Sequence, residues 1–129
     1  MYLLDTNACI DFLNGRSEAL AQRMDANFGK LWVSAVSVGE LIVGSKWSQD
    51  PRGDAERINI FVANVEVADF DEACARRYGA VIRAVGVRRK SFDRLIGVQA
   101  LERGLVLVTR NGRDFDDVPG LVVEDWCQP

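Results

Sequence analysis

Leu105-Val106-Leu107-Val108 is an unbroken apolar run between Gly104 and the polar stretch that opens at Thr109. A strand with one wet face alternates apolar and polar residues. This run has no polar position, so both of its faces must be covered, as in the middle of a parallel sheet flanked by helices. The rest of the chain supplies the other parts. Tyr2-Leu3-Leu4, Leu31–Ser34, Val65–Ala68 and Leu121–Val123 read as further short strands. Helical spacing or capping residues mark helices after Asp5, over Ser17–Phe28, from Ser37, over Asp54–Asn64, after Asp69 or Asp71, and over Phe92–Arg103. Strands separated by helices predict an α/β fold, a three-layer α/β/α sandwich with a mainly parallel sheet. At 129 residues, with no linker, repeat or low-complexity segment, a single domain over 1–129 is expected.

Composition narrows the chemistry. There is no histidine. Ser-His-Asp and Cys-His catalysis, histidine-driven RNA cleavage and histidine metal sites are therefore excluded. The three cysteines, Cys9, Cys74 and Cys127, are widely spaced and odd in number, and are expected to be reduced thiols. No apolar run approaches the roughly 20 residues of a membrane span. Asp5 and Asp11 interrupt the first apolar residues, unlike a signal peptide. A cytoplasmic protein is expected. Net charge is −3, but Arg76–Arg113 alone carries +8 and the remainder −11. Such asymmetry predicts either a basic face for a polyanion or charges dispersed over several faces.

The acids carry the functional signal. Asp5 ends the first strand, and in open α/β sheets ligands bind beyond the carboxyl ends of strands. Its plainer role is an acid at a helix N-terminus, with Thr6 or Asn7 as the cap. Glu40 completes Ser37-x-x-Glu40, a capping box, and can also serve a site with its second oxygen. Asp93 enters an otherwise apolar helix after Ser91, directly behind Arg88-Arg89-Lys90. Asn111 and Asp114 lie just beyond the central strand, while Asp116 and Asp117 read as solvated loop acids. Carboxylates gathered at one sheet edge cannot all stay ionised without a cation. Oxygen-only donors suit Mg²⁺ or Mn²⁺, which activate water and neutralise phosphate charge.

Leu3-Leu4-Asp5-Thr6-Asn7, Ser34–Leu41, Phe92-Asp93-Arg94-Leu95-Ile96, Leu107–Asn111 and Asp114-Phe115 together resemble the PIN-domain ribonucleases, and more narrowly the VapC toxins of bacterial VapBC toxin–antitoxin pairs. The similarity extends through Pro119-Gly120-Leu121 and Glu124-Asp125-Trp126. The resemblance implies a parallel α/β/α sandwich with an acidic pocket at the C-terminal sheet edge. It implies a Mg²⁺- or Mn²⁺-dependent endoribonuclease, usually a homodimer, restrained by a small VapB-type antitoxin. Its acids match Asp5, Glu40 and Asp93. Its fourth position, acidic in many members, is Asn111 here, with Asp114 nearby. Its threonine after the central strand matches Thr109. Structured RNA such as tRNA is the target that analogy suggests.

The leading expectation is RNA hydrolysis by metal-activated water, leaving 5′-phosphate and 3′-hydroxyl ends. Asp5, Asp93 and Glu40 would be metal ligands, with Asn111 and Asp114 as further catalytic candidates. Arg88, Arg89, Lys90, Arg94 and Arg110 are candidate phosphate contacts. An aspartyl-phosphate phosphatase is disfavoured, since Asn7 stands where a second Asp is needed. The remaining alternative is a catalytically weak RNA- or protein-binding module of the same fold.

Overall fold

The structure, a computed structural model, describes residues 1–86 and 92–128. Five strands, β1 (Tyr2–Leu4), β2 (Leu31–Ser34), β3 (Glu66–Ala68), β4 (Val106–Val108) and β5 (Val123–Glu124), form one sheet in the order β3-β2-β1-β4-β5. Every pairing is parallel. Six α-helices complete the fold: α1 (Thr6–Leu13), α2 (Glu18–Ala26), α3 (Ala35–Ser45), α4 (Pro51–Ala63), α5 (Glu72–Val85) and α6 (Phe92–Arg103). A 3₁₀ turn, Gly112–Phe115, follows β4.

Two apolar layers sandwich the sheet. Leu4, Val33 and Val108 point to one side, onto Cys9, Leu20, Met24, Leu41, Ile58, Phe61 and Trp126. Leu3 and Leu107 point to the other, onto Ile96, Ala100 and Phe115. Neighbouring residues of one strand thus feed opposite cores, which is why the β1 and β4 runs are apolar throughout. Within α6, Gly97 lets the Phe115 ring come close: a Cβ there would lie 2.9 Å from it. This packs the turn after β4 against the helix that carries Asp93. Gly104, at φ +66, stops α6 and returns the chain to β4.

The helix starts differ from the sequence reading in three places; one is α4, which begins at Pro51 with Asp50 as its cap rather than at Asp54. Asp5 itself caps α1, its Oδ1 accepting from the N–H of Ala8 at 2.7 Å, so neither Thr6 nor Asn7 is the cap. Ser34, not Ser37, caps α3, accepting from the N–H of Val36. The expected Ser37–Glu40 capping box is therefore absent. At α1 and α3 the helix begins directly at the strand end, leaving no connecting turn. The expected Ser91 cap and the phosphate candidates Arg88, Arg89 and Lys90 lie outside the described residues. Cys9 and Cys74 are buried free thiols and Cys127 a half-buried one. Among the described residues no helix is long and apolar enough to cross a membrane.

Candidate active site

The strand order runs outward from β1 to β2 and β3 on one side, and to β4 and β5 on the other. The crevice where such an order reverses is the usual ligand site of an open α/β sheet. Here it lies beyond the ends of β1 and β4, and Asp5 stands at its floor. The Asp5 N–H donates to the Val108 carbonyl at 3.0 Å, tying the two strand ends together.

Asp5 is only 3% exposed. Burial pushes its carboxyl up to about 6, and the negative charge of Asp93 pushes the same way. Hydrogen bonds from Thr109 and Ala8 and the positive charge of Arg110 oppose the rise without cancelling it. The N–H of Asn111 donates to Thr109 Oγ1 at 3.0 Å. A hydroxyl has one proton, so Thr109 accepts from Asn111 and donates to Asp5. Buried Thr109 thereby couples the turn after β4 to the acid after β1.

Glu40 reaches the same edge from the second turn of α3. Thr6 Oγ1 donates to Glu40 Oε1 at 2.7 Å. Ser37 Oγ lies 2.9 Å from Thr6 Oγ1. With the proton of Thr6 committed to Glu40, Ser37 is the donor to Thr6. Ser37 and Thr6 thus form a hydroxyl relay that orients Glu40, in place of the expected cap. Thr6 follows Asp5 directly, so one strand end positions two acids. Asp93 is half-buried in the first turn of α6, and its charge is felt at Asp5. Half-buried Asn111 opens the 3₁₀ turn and exposed Asp114 lies within it, its N–H bonded to the Asn111 carbonyl at 2.9 Å.

The arginines separate sharply. Arg94 is 5% exposed and forms an ion pair with Asp117. It is closed off from solvent, which removes it as a phosphate contact, and Asp117 is not the solvated loop acid expected. Arg110 keeps 46% of its side chain exposed and contacts Asp11 at 3.1 Å. Arg76, Arg77 and Arg103 each face an acid, Glu72, Glu102 and Asp71. Among the described residues the +8 segment is therefore largely neutralised locally rather than gathered into a basic face. Asp11, 2% exposed, is not among the expected site residues. Its signal was an acid in the middle of the apolar stretch Cys9–Leu13.

The donor chemistry fits a hard divalent cation. Asp5 is a carboxylate whose ionisation is opposed both by burial and by a second carboxylate, a conflict that a cation relieves. No thiol or imidazole competes at this edge; the thiol of Cys9 is pushed up by burial. As the side chains stand, no group of three His, Cys, Asp or Glu among the described residues is set to hold an ion. Glu40 in particular is engaged by Thr6. A cavity of about 610 Å³ lies elsewhere, lined by apolar side chains that include Phe12, Met24, Phe28, Ile60 and Phe61.

The PIN domain model matches residues 2–121. The chain belongs to the PIN-domain family. Over 97% of both chains it is 39% identical to the tRNA(fMet)-specific endonuclease VapC of Shigella flexneri. It is 35% identical over 98% of both to the protein of that description in Salmonella typhimurium. Its fold superposes on the solved structure of DNA-bound VapBC from Salmonella typhimurium with a TM-score of 0.89, at 32% identity and 98% coverage of each chain. These full-length likenesses put the chain in the VapC branch of the PIN-domain family.

Proposed function

We propose that the protein is a single PIN-like nuclease domain over residues 1–129, a metal-dependent endoribonuclease and the toxin of a VapBC-type pair. The carrying observation is Asp5: a buried carboxylate at the β1/β4 crevice, opposed by the charge of Asp93 and held by Thr109. The full-length likeness to VapC endonucleases supports the same reading. Asp5, Asp93 and Glu40 would hold Mg²⁺ or Mn²⁺. Such an ion, when bound, supplies a nucleophilic hydroxide from water and offsets phosphate charge.

The chain's own residues do the rest. Asp5 keeps its carboxylate fixed by the Ala8 and Thr109 hydrogen bonds. Glu40, oriented by Thr6, accepts a proton from the attacking water or completes the ligand set. Asn111 and Asp114 line the β4 side and orient water or a second ligand. Arg110 offers a guanidinium to the RNA phosphate. Two relatives are named for tRNA(fMet), which supports a tRNA substrate here. The likeness to a VapBC complex supports a VapB-type antitoxin as partner. A homodimer acting in the cytoplasm completes the proposal, and light scattering checks the dimer.

The deciding experiment incubates purified protein with tRNA in Mg²⁺ or Mn²⁺, with EDTA and Asp5→Ala controls and mapped product ends. Metal-dependent cuts with 5′-phosphate ends, absent from both controls, are expected. Cuts that survive EDTA or leave 2′,3′-cyclic phosphates would overturn the mechanism. A second reading, an RNA- or protein-binding module, is favoured by one observation: no three acids among the described residues stand ready for an ion. Under that reading RNA binds without being cut, and Asp5→Ala leaves binding intact.

A further inference from the structure

We propose that Asp11, buried in α1, is a positioning residue that aims Arg110 at the RNA phosphate in the β1/β4 crevice. The inference rests on the nuclease reading above and adds a residue to it.

Asp11 is a poor choice for a merely structural position. It is 2% exposed in a helix whose other buried residues are Ala8 and Cys9. Burying a carboxylate is unfavourable unless its charge is matched. Two arginines match it from different directions. Arg110 Nη1 lies 3.1 Å from Oδ2, and Arg16 Nη1 lies 3.5 Å from Oδ1. Arg16 comes from the loop just past α1, and its N–H also bonds the Asp11 carbonyl. Arg110 comes from the far side of the crevice, on the loop after β4.

The contact with Arg110 is not an aligned hydrogen bond: Oδ2 has no hydrogen-bond partner among the described residues. It is a charge contact at the buried end of the guanidinium. With 46% of its side chain exposed, Arg110 keeps N–H donors for an incoming anion. The same guanidinium lies near enough to Asp5 for its charge to be felt there. One end is therefore anchored, the other is open, and the group stands beside the acid assigned to the chemistry. A flexible surface arginine would spend side-chain entropy on meeting a phosphate; an anchored one has already lost it.

The sign of the Asp11 effect separates positioning from simple charge. Removing a negative charge near an RNA site should strengthen RNA binding. Losing the anchor should weaken catalysis despite that gain. The test uses a tRNA(fMet) transcript with wild type, Asp11→Asn, Arg110→Ala, the double variant and Arg16→Ala. Cleavage is measured in Mg²⁺ or Mn²⁺, and RNA affinity against salt in EDTA. Asp11→Asn is expected to lower kcat by about tenfold. It should also flatten the salt dependence by about 0.7–0.9 in slope, the signature of one lost phosphate contact. Arg110→Ala should do both, the double variant no more than Arg110→Ala, and Arg16→Ala neither.

Tighter RNA binding with unchanged slope and kcat would overturn the proposal, as would losses that add in full in the double variant. If Asp11→Asn fails to fold, Asp11→Glu keeps the charge and displaces it by one methylene; an unchanged kcat there overturns the proposal. A wild-type protein that binds but does not cut would overturn the nuclease reading instead. The salt slopes in EDTA would then still judge Asp11, since an unflattened Asp11→Asn slope refutes it.

Discussion

Two arginines flank the acidic crevice, and each is tied to an aspartate. Arg94, on α6, is closed in with Asp117 on the turn after β4. Arg110 leans on Asp11 but leaves nearly half its side chain in water. The first pair is a strut: it ties the segment just past the 3₁₀ turn to α6 and is closed off from solvent. The second is a bracket, fixed at one end and open at the other. Asp5 is the third aspartate and marks the limit of the series. Among the described residues no arginine pairs with it directly, and its strongest charged neighbour is another acid. The three sites teach that burial of both partners makes a pair structural, burial of one makes it directional, and burial of an acid without a cation leaves room for a ligand.

The largest loss of stability is expected at the strut. Arg94→Ala leaves Asp117 buried and unmatched, and should cost about 3–5 kcal/mol in thermal or urea unfolding. Replacing both partners, Arg94→Met with Asp117→Leu, should recover most of that loss. A fall of under about 1 kcal/mol for Arg94→Ala would place the pair in the class of exposed surface bridges.

Asp5 should behave in the opposite sense. Its carboxyl is raised from 3.8 to about 6, so between those values the native state binds the proton that the unfolded chain has released. Stability therefore falls as pH rises through that window and is lower by about 3 kcal/mol above it. Asp5→Asn, in EDTA, should be more stable than wild type at pH 8, with the gap closing near pH 4. Chemical denaturation at the two pH values checks the sign. Cleavage in Mg²⁺ or Mn²⁺, which needs the carboxylate, should be absent from the variant.

Arg110→Ala should sit between these cases. We expect a loss of about 1–2 kcal/mol in stability, because Arg16 remains beside Asp11 and water can enter. Its main effect should be on turnover. A comparable effect on turnover is expected at Thr6. Thr6→Val removes the hydroxyl that orients Glu40 and should lower kcat by about tenfold, with RNA affinity in EDTA unchanged. Equal turnover in Thr6→Val and wild type would mean that Glu40 is not used in the geometry seen here.

Much of this was legible in the chain. The apolar run Leu105–Val108 announced a strand covered on both faces, Tyr2-Leu3-Leu4 announced a short strand ending on Asp5, and α6 appears over the expected Phe92–Arg103. Asp5, Glu40, Asp93, Asn111 and Asp114 were singled out by strand ends, helix starts and the likeness to PIN-domain nucleases. Those signals are local: strand and helix periods are written within a few residues, and an acid at a strand end is visible without its neighbours. The partners were not legible. Glu40 read as the mate of Ser37 three residues away, yet its hydrogen bond comes from Thr6, 34 residues distant. Arg94 and Arg110 looked alike until one met Asp117 and the other Asp11. Those pairings follow from the sheet order, which sets β1 against β4 and brings α1, α3 and α6 to one edge. An ion pair depends on where two chain segments meet and how much water reaches them. Which side chains bear charge is written in the residues; which of those charges are matched, buried or left open to a ligand follows only from how distant segments pack.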